Sequence, residues 1–335
     1  MRQLCNILSS RLLAAILAGL LLCMPAFASG NSWDKNSAFE VQMTNGGQEG
    51  LSAEEWFYKG VALADLGKYD EALLAYDQAI SIDPKLAEAW YNKGVALTAL
   101  GKNDEAIQAY DQAISINPKL AEAWSNKGVV LYDLGKYDEA IQAYDQAISI
   151  NPKLAQTWSN KGNALYELGK HGEALEALDQ AISIDPQYAE ARFNKGVALG
   201  NLGKYDEALR AFNQAIRINP QDADTWYNRG IALGNLGKHD EAIKAFDQAI
   251  SINPQYADAW HNKGIALGNL GKYYEALQAF DQTIRINPQY ADAWYKKGAA
   301  LKALGRTSES DAAFAKAEEL KNSAESLFFT VDEYA

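Results

Sequence analysis

Residues 87–120 read AEAWYNKGVALTALGKNDEAIQAYDQAISINPKL, a stretch with the marks of two consecutive helices. Ala89, Trp90, Val95, Ala96, Leu97 and Leu100 fall mainly on helical spacing, and Gly101 follows where a left-handed helix cap is easiest. Asp104 and Glu105 open a second helix, where acids complement the positive end of the helix dipole. Ala106, Ile107, Tyr110, Ala113 and Ile114 form its buried stripe, and Asn117-Pro118 stops it, because the residue before proline avoids the helical region. The small Gly94, Ala106 and Ala113 let helix backbones approach closely, while Trp90, Leu97 and Tyr110 fill the spaces between them. Such a unit is an antiparallel helix pair, which buries both faces only when neighbouring pairs stack on it.

The same pattern extends in both directions. Trp56, Trp90, Trp124, Trp158, Trp226, Trp260 and Trp294 lie on a 34-residue grid whose one missing position is Arg192. A glycine follows each grid position by four residues, from Gly60 to Gly298, and another by eleven, from Gly67 to Gly305. Prolines from Pro84 to Pro288 close the units. The pattern Trp-x-x-x-Gly-x-x-Leu, then Ala-x-x-x-Tyr/Phe, then Ala, then Pro resembles the tetratricopeptide repeat. The resemblance covers eight units: 53–86, 87–120, 121–154, 155–188, 189–222, 223–256, 257–290 and a degenerate last unit, 291–322. It implies an all-α fold, a right-handed α-solenoid (superhelix) of eight helix-turn-helix units whose first helices line a concave groove. Ser52 with Glu55 fits a capping box for the first helix.

Residues 1–28 carry Arg2 and Arg11, no acids, an apolar run from Leu12 to Cys23 and Ala26-Phe27-Ala28, the pattern of a secretory signal peptide cleaved after Ala28. The apolar run is shorter than the roughly 20 residues a membrane span needs, so membrane attachment is expected only if the signal is retained or lipidated at Cys23. Both cysteines, Cys5 and Cys23, lie in this segment, so the exported chain has no thiol for catalysis or metal binding. Residues 29–52, rich in Ser, Asn and Gly, read as a flexible linker, the alternative being an added turn on the first helix from Trp33, Phe39, Val41 and Met43.

The chain has 335 residues and a formal net charge of −12, which losing Arg2 and Arg11 takes to −14. Phosphate backbones require clustered cations, so nucleic acid is excluded as a partner class. The three histidines do not form a site: His171 and His239 stand where other units have Tyr69, Tyr137, Tyr205 and Tyr273, two units apart, and His261 lies on a first helix as a pH-sensitive contact. No phosphate loop, zinc-protease or nucleophile-elbow motif occurs. The expectation is therefore no catalytic residues, no metal and no cofactor.

The first helices carry the partner-binding candidates. Second place in the unit is acidic in seven of eight units, including Asp224, Asp258 and Asp292, a pattern that helix-dipole preference also explains. Fifth and sixth places hold Tyr91, Phe193, Tyr227, His261 and Tyr295 beside Asn92, Asn126, Asn160, Asn194, Asn228 and Asn262. Amides and aromatics in a ladder suit an extended peptide, whereas the structural alternative is that Asn bonds a neighbouring helix and Tyr packs half-buried. Gly200, Gly234 and Gly268 at the twelfth place predict a lower groove floor in the fifth to seventh units, so the contact site is expected there.

Chaperone-binding members of the resembled family clamp a terminal carboxylate with Lys at the fifth place and Asn at the ninth. Here the fifth is aromatic, Ser or His and only Asn163 matches the ninth, so no carboxylate clamp is expected, and the acids favour a neutral or basic peptide. At the seventh place the usual Leu is Lys or Arg, whose stem packs while its charge seeks nearby acids. In residues 323–335, Leu327, Phe328, Phe329, Val331 and Tyr334 form a C-terminal cap over the stack, or a docking surface for a homodimer. The sequence thus reads as an exported, non-catalytic protein-interaction scaffold with an extended peptide in its groove. The alternative is a structural or assembly protein that acts through its ends or convex side and self-associates.

Overall fold

The computed structural model describes residues 50–331, with side chains through residue 323. The expected signal (1–28), the linker up to residue 49, the side chains of Leu327, Phe328, Phe329 and Val331, and Tyr334 lie outside the described residues. The chain divides into two compact units, one ending at Gly169 and the other beginning at Lys170.

The first unit contains α1 (Ala53–Asp65), α2 (Tyr69–Ile82), α3 (Ala87–Ala99), α4 (Asn103–Ile116), α5 (Ala121–Asp133), α6 (Tyr137–Ile150) and α7 (Ala155–Glu167). The second contains α8 (His171–Ile184), α9 (Ala189–Asn201), α10 (Tyr205–Ile218), α11 (Ala223–Asn235), α12 (His239–Ile252), α13 (Ala257–Asn269), α14 (Tyr273–Ile286), α15 (Ala291–Ala303) and α16 (Thr307–Val331). The fold is all-α, an α-solenoid of 16 helices among the described residues.

Each turn inside a pair is built as the residues dictate. Gly101 has φ +71°, left-handed backbone that only glycine takes cheaply, and Lys102 N–H donates to the Leu97 carbonyl across it at 2.9 Å. Between pairs, Asn117 Oδ1 accepts from Lys119 N–H at 3.1 Å, a side-chain turn that closes the helix before the proline. At the first helix the capping box is present: Ser52 Oγ accepts from Glu55 N–H, and Glu55 Oε2 from Ser52 N–H.

Helices within a pair meet through a close contact. A Cβ placed on Gly128 would lie 2.5 Å from the buried Tyr144 ring, so α5 and α6 reach this separation only because Gly128 has no side chain. Alanines surround the aromatic: Ala140, Ala143 and Ala147 of α6 are all buried. Between pairs, the indole N–H of Trp124 donates to the Pro118 carbonyl at 3.3 Å, and the same bond recurs from Trp90 to Pro84 and from Trp260 to Pro254.

The seventh-place cation joins neighbouring repeats. Lys127 Nζ lies 2.5 Å from Asp111 Oδ1 of the preceding repeat and over the ring of its own Trp124. Lys93 pairs with Asp77, Lys161 with Asp145, Lys263 with Asp247 and Lys297 with Asp281 in the same way.

Within each unit the first helices of successive repeats also touch one another: α1 with α3, α3 with α5 and α5 with α7, then α9 with α11, α11 with α13 and α13 with α15. Second helices chiefly meet their own first helix and that of the next repeat. In each unit the first helices therefore lie on the inner side of the bend. The last helix departs from the pattern: α16 runs 25 residues, where the other second helices run 14 and end at Asp or Asn before proline. Ser310 replaces the usual alanine there, is buried, and donates from Oγ to the Gly298 carbonyl at 2.9 Å.

Candidate functional site

The inner faces of the two units differ in how their side chains are held. In the first unit, Tyr91 is half-buried against Tyr110, ring centroids 6.1 Å apart, and its hydroxyl accepts from Asn126 Nδ2 of the next repeat at 3.1 Å. Asn92 is half-buried and Asn160 buried. Ser125 Oγ and Thr157 Oγ1 share a hydrogen bond of 2.8 Å between repeats.

In the second unit a tyrosine at the last place of the repeat organises the face. Tyr256 packs on Tyr227 with centroids 4.9 Å apart, and its hydroxyl donates to Asp224 Oδ1 at 2.7 Å. Tyr290 stacks on His261 at 4.8 Å and donates to Asp258 Oδ1 at 2.8 Å. Across to the next repeat, His261 Nε2 lies 3.1 Å from Asp292 Oδ2. Three carboxylates at successive second places are thus each engaged by a ring group from within the array. Burial raises the Tyr256 hydroxyl pKa, and the Asp224 charge adds to it, so the phenol stays a donor.

Asn126 and Asn262 take the structural alternative, a bond to the neighbouring repeat. Asn262 Nδ2 bonds Tyr227 Oη at 3.1 Å and the Asp258 carbonyl at 2.9 Å. Asn228 is buried and donates to the Asp224 carbonyl at 2.8 Å. Asn194 is buried with no acceptor for Nδ2, and Phe193 beside it is buried against Phe212. His261 is also buried, its Nδ1 without a partner. Phe193, Asn194, Asn228 and His261 are thus buried, His261 also meeting the next repeat, whereas Asp292 and Tyr295 reach solvent, Tyr295 with 46% exposure.

Space for a ligand remains at the glycines. A Cβ on Gly234 or Gly268 would meet nothing within 4 Å, so the inner face is open at the twelfth place of these repeats. Asn235 and Asn269 beside them are exposed. Tyr256 and Tyr290 are the members that sequence reasoning missed. Their signal was Tyr at a last place that holds Leu in the first three repeats, Leu86, Leu120 and Leu154.

Among the described residues no cluster of three or more metal-ligating side chains occurs, and no helix is long and apolar enough to cross a membrane. The inner face of the second unit thus carries carboxylates, phenols and amides oriented by bonds within the array.

A model of the TPR repeat matches residues 60–101, 94–135, 128–169, 162–203 and 201–237, and further tetratricopeptide repeat models match 223–256, 257–290 and 291–323. No curated protein matches the chain. Among solved structures, a tetratricopeptide repeat protein from Parabacteroides merdae is similar at 20% identity over 75% of this chain and 100% of that one, with a TM-score of 0.56. A chain of the APC/C hetero-tetramer Cut9-Hcn1 is similar at 20% identity over 78% of this chain and 50% of that one, with a TM-score of 0.59. Both likenesses are of fold. YrrB, a TPR protein with an unusual peptide-binding site, is 28% identical over 56% of this chain and 97% of its own, with a TM-score of 0.48. With repeats matched from residue 60 to residue 323, the chain belongs to the tetratricopeptide repeat family.

Proposed function

We propose that the protein is an exported, non-catalytic scaffold that binds an extended neutral or basic segment of a partner protein along the inner face of its second unit. The family's fold supports a protein-interaction scaffold. The observation that carries the finer reading is the row of second-place acids, Asp224, Asp258 and Asp292, oriented by Tyr256, Tyr290 and His261 beside the open floor at Gly234 and Gly268. Carboxylates already held in place lose little freedom on binding a cation or amide, so the face is pre-organised for such a ligand. The signal-like pattern of residues 1–28 supports export.

The test is capture from the native envelope and secreted fraction with the chain beginning at Ser29, beside an Asp258→Asn, Asp292→Asn, Tyr295→Ala variant whose circular dichroism is unchanged. A partner held by the wild type and lost by the variant is the expected result. A partner retained equally by both would move binding to the ends or the outer side and overturn the groove reading. Amino-terminal sequencing of the exported protein should begin at Ser29; recovery only of uncleaved chain in the cytosol would overturn export.

A further inference from the structure

The amino-terminal end of the first repeat presents a face that no described residue covers. In later repeats the sixth-place side chain turns toward the preceding repeat, as Asn126 does to Tyr91 and Asn262 to Tyr227. The first repeat has Tyr58 at that place, 62% exposed. Leu66 is 73% exposed, against 39% for its counterparts Leu134 and Leu202 and half-burial for Leu100, and Ile82 is 51% exposed where Ile116 is half-buried. Two polar fittings are also unused. Lys59 lies over Trp56 as its counterparts lie over theirs, but it has no acid partner among the described residues, whereas Lys93 and Lys127 reach Asp77 and Asp111. Six residues before Trp56 stands Gly50 in place of the proline whose carbonyl the other indoles use.

An element that matched this apolar end and its cation would supply apolar side chains and a carboxylate. The eighth repeat of a second copy does not reproduce the internal fittings. The eighth repeat has Ala315 where Asp77 and its counterparts stand and Asn322 in place of proline, and α16 runs past the point where the other second helices stop. The chain's own amino-terminal segment does supply them. Ala38-Phe39-Glu40 reproduces Ala75-Tyr76-Asp77 and Ala109-Tyr110-Asp111, and Met43 then falls at the place of Ile80 and Ile114. Glu40 precedes Lys59 by 19 residues, whereas Asp77 precedes Lys93 by 16. The three additional residues fall in a stretch that contains Gly46, Gly47 and Gly50.

We infer that residues 36–44 are the segment that covers the amino-terminal face, with Phe39 and Met43 over the apolar end and Glu40 paired with Lys59. The pairing is independent of what the inner face binds. It closes the array with the same contacts that join its internal repeats.

The chain beginning at Ser29 is treated with a zero-length carbodiimide reagent, which joins a carboxylate to an ammonium only when they touch, and the monomer is mapped by mass spectrometry. The pair Asp77–Lys93 is the internal reference. The expected result is a Glu40–Lys59 link in the monomer at a yield comparable to the reference. In Phe39→Asp the link should fall about tenfold with the reference unchanged, as loss of about 1.4 kcal/mol of docking free energy gives. Glu40→Lys should abolish the link, and adding Lys59→Glu should restore it with the roles exchanged. Absence of the link while Asp77–Lys93 forms, a link found only in covalent dimers, or one indifferent to Phe39→Asp would overturn the inference.

Discussion

Arg192 Nη2 donates to the Pro186 carbonyl at 2.7 Å, the bond that a tryptophan indole makes at this place in six other repeats. The guanidinium also donates from Nη1 to Gln214 Oε1 at 2.8 Å, but its Nε is buried without an acceptor. The one break in the tryptophan grid therefore keeps the hydrogen bond that ties each repeat to the turn before it. Arg192→Ala removes that bond and should cost about 1–2 kcal/mol, whereas Arg192→Trp restores the indole, removes the orphaned donor and should stabilise by about 1 kcal/mol. Urea unfolding of the two variants checks this; a destabilised Arg192→Trp protein contradicts the equivalence.

Two glycine substitutions should have opposite consequences. Gly128→Ala drives a methyl group to 2.5 Å from the buried Tyr144 ring and should destabilise by about 1–3 kcal/mol. Gly234→Ala meets open space on a helix and should stabilise by up to about 1 kcal/mol through helix propensity while narrowing the inner face. Equilibrium unfolding of both proteins decides the matter, and equal effects would show that the first glycine is not a contact residue.

Trp124 spans the contact between α4 and α5, half-buried against the cluster that contains Tyr110 and Ile114. Trp124→Ala should cost about 3 kcal/mol, toward the low end for such a truncation because part of the ring faces water. Since each repeat is stabilised by its neighbours, the thermal transition should also broaden or split. An unchanged melting curve would contradict stacking across this contact.

His261 should give the fold a pH dependence of defined sign. Burial lowers its pKa from the ordinary 6.5, Asp292 and Asp258 oppose the shift, and Lys296 adds to it. The folded state thus prefers the neutral imidazole. Its contribution is complete above the unfolded value and is lost as the pH falls below it toward the folded pKa, because the unfolded chain takes the proton first. His261→Phe keeps a ring against Tyr290 and removes the ionisation. Between about pH 7.5 and pH 5 the variant should lose less stability than the wild type, measured by urea midpoints at each pH; an identical loss in both would assign the dependence to other groups.

The repeat and its local grammar were legible from residue order alone. Gly101 marks a left-handed cap, Asn117-Pro118 a helix end, and Gly94 with Tyr110 a close helix contact, because each depends on residues inside one 34-residue unit. The fate of the inner-face side chains depended on the neighbouring repeat. The same Asn at the sixth place is a donor to tyrosine in Asn126 and Asn262 but buried without an acceptor in Asn194, since the residue opposite it changes along the array. Likewise the seventh-place lysines read only as cations in search of acids, and the tertiary structure assigns them the aspartates of the preceding repeat, 16 residues earlier. Periodicity tells which face of a helix a residue occupies; burial and bonding follow from which side chains an adjacent helix brings to that face, and only packing decides that.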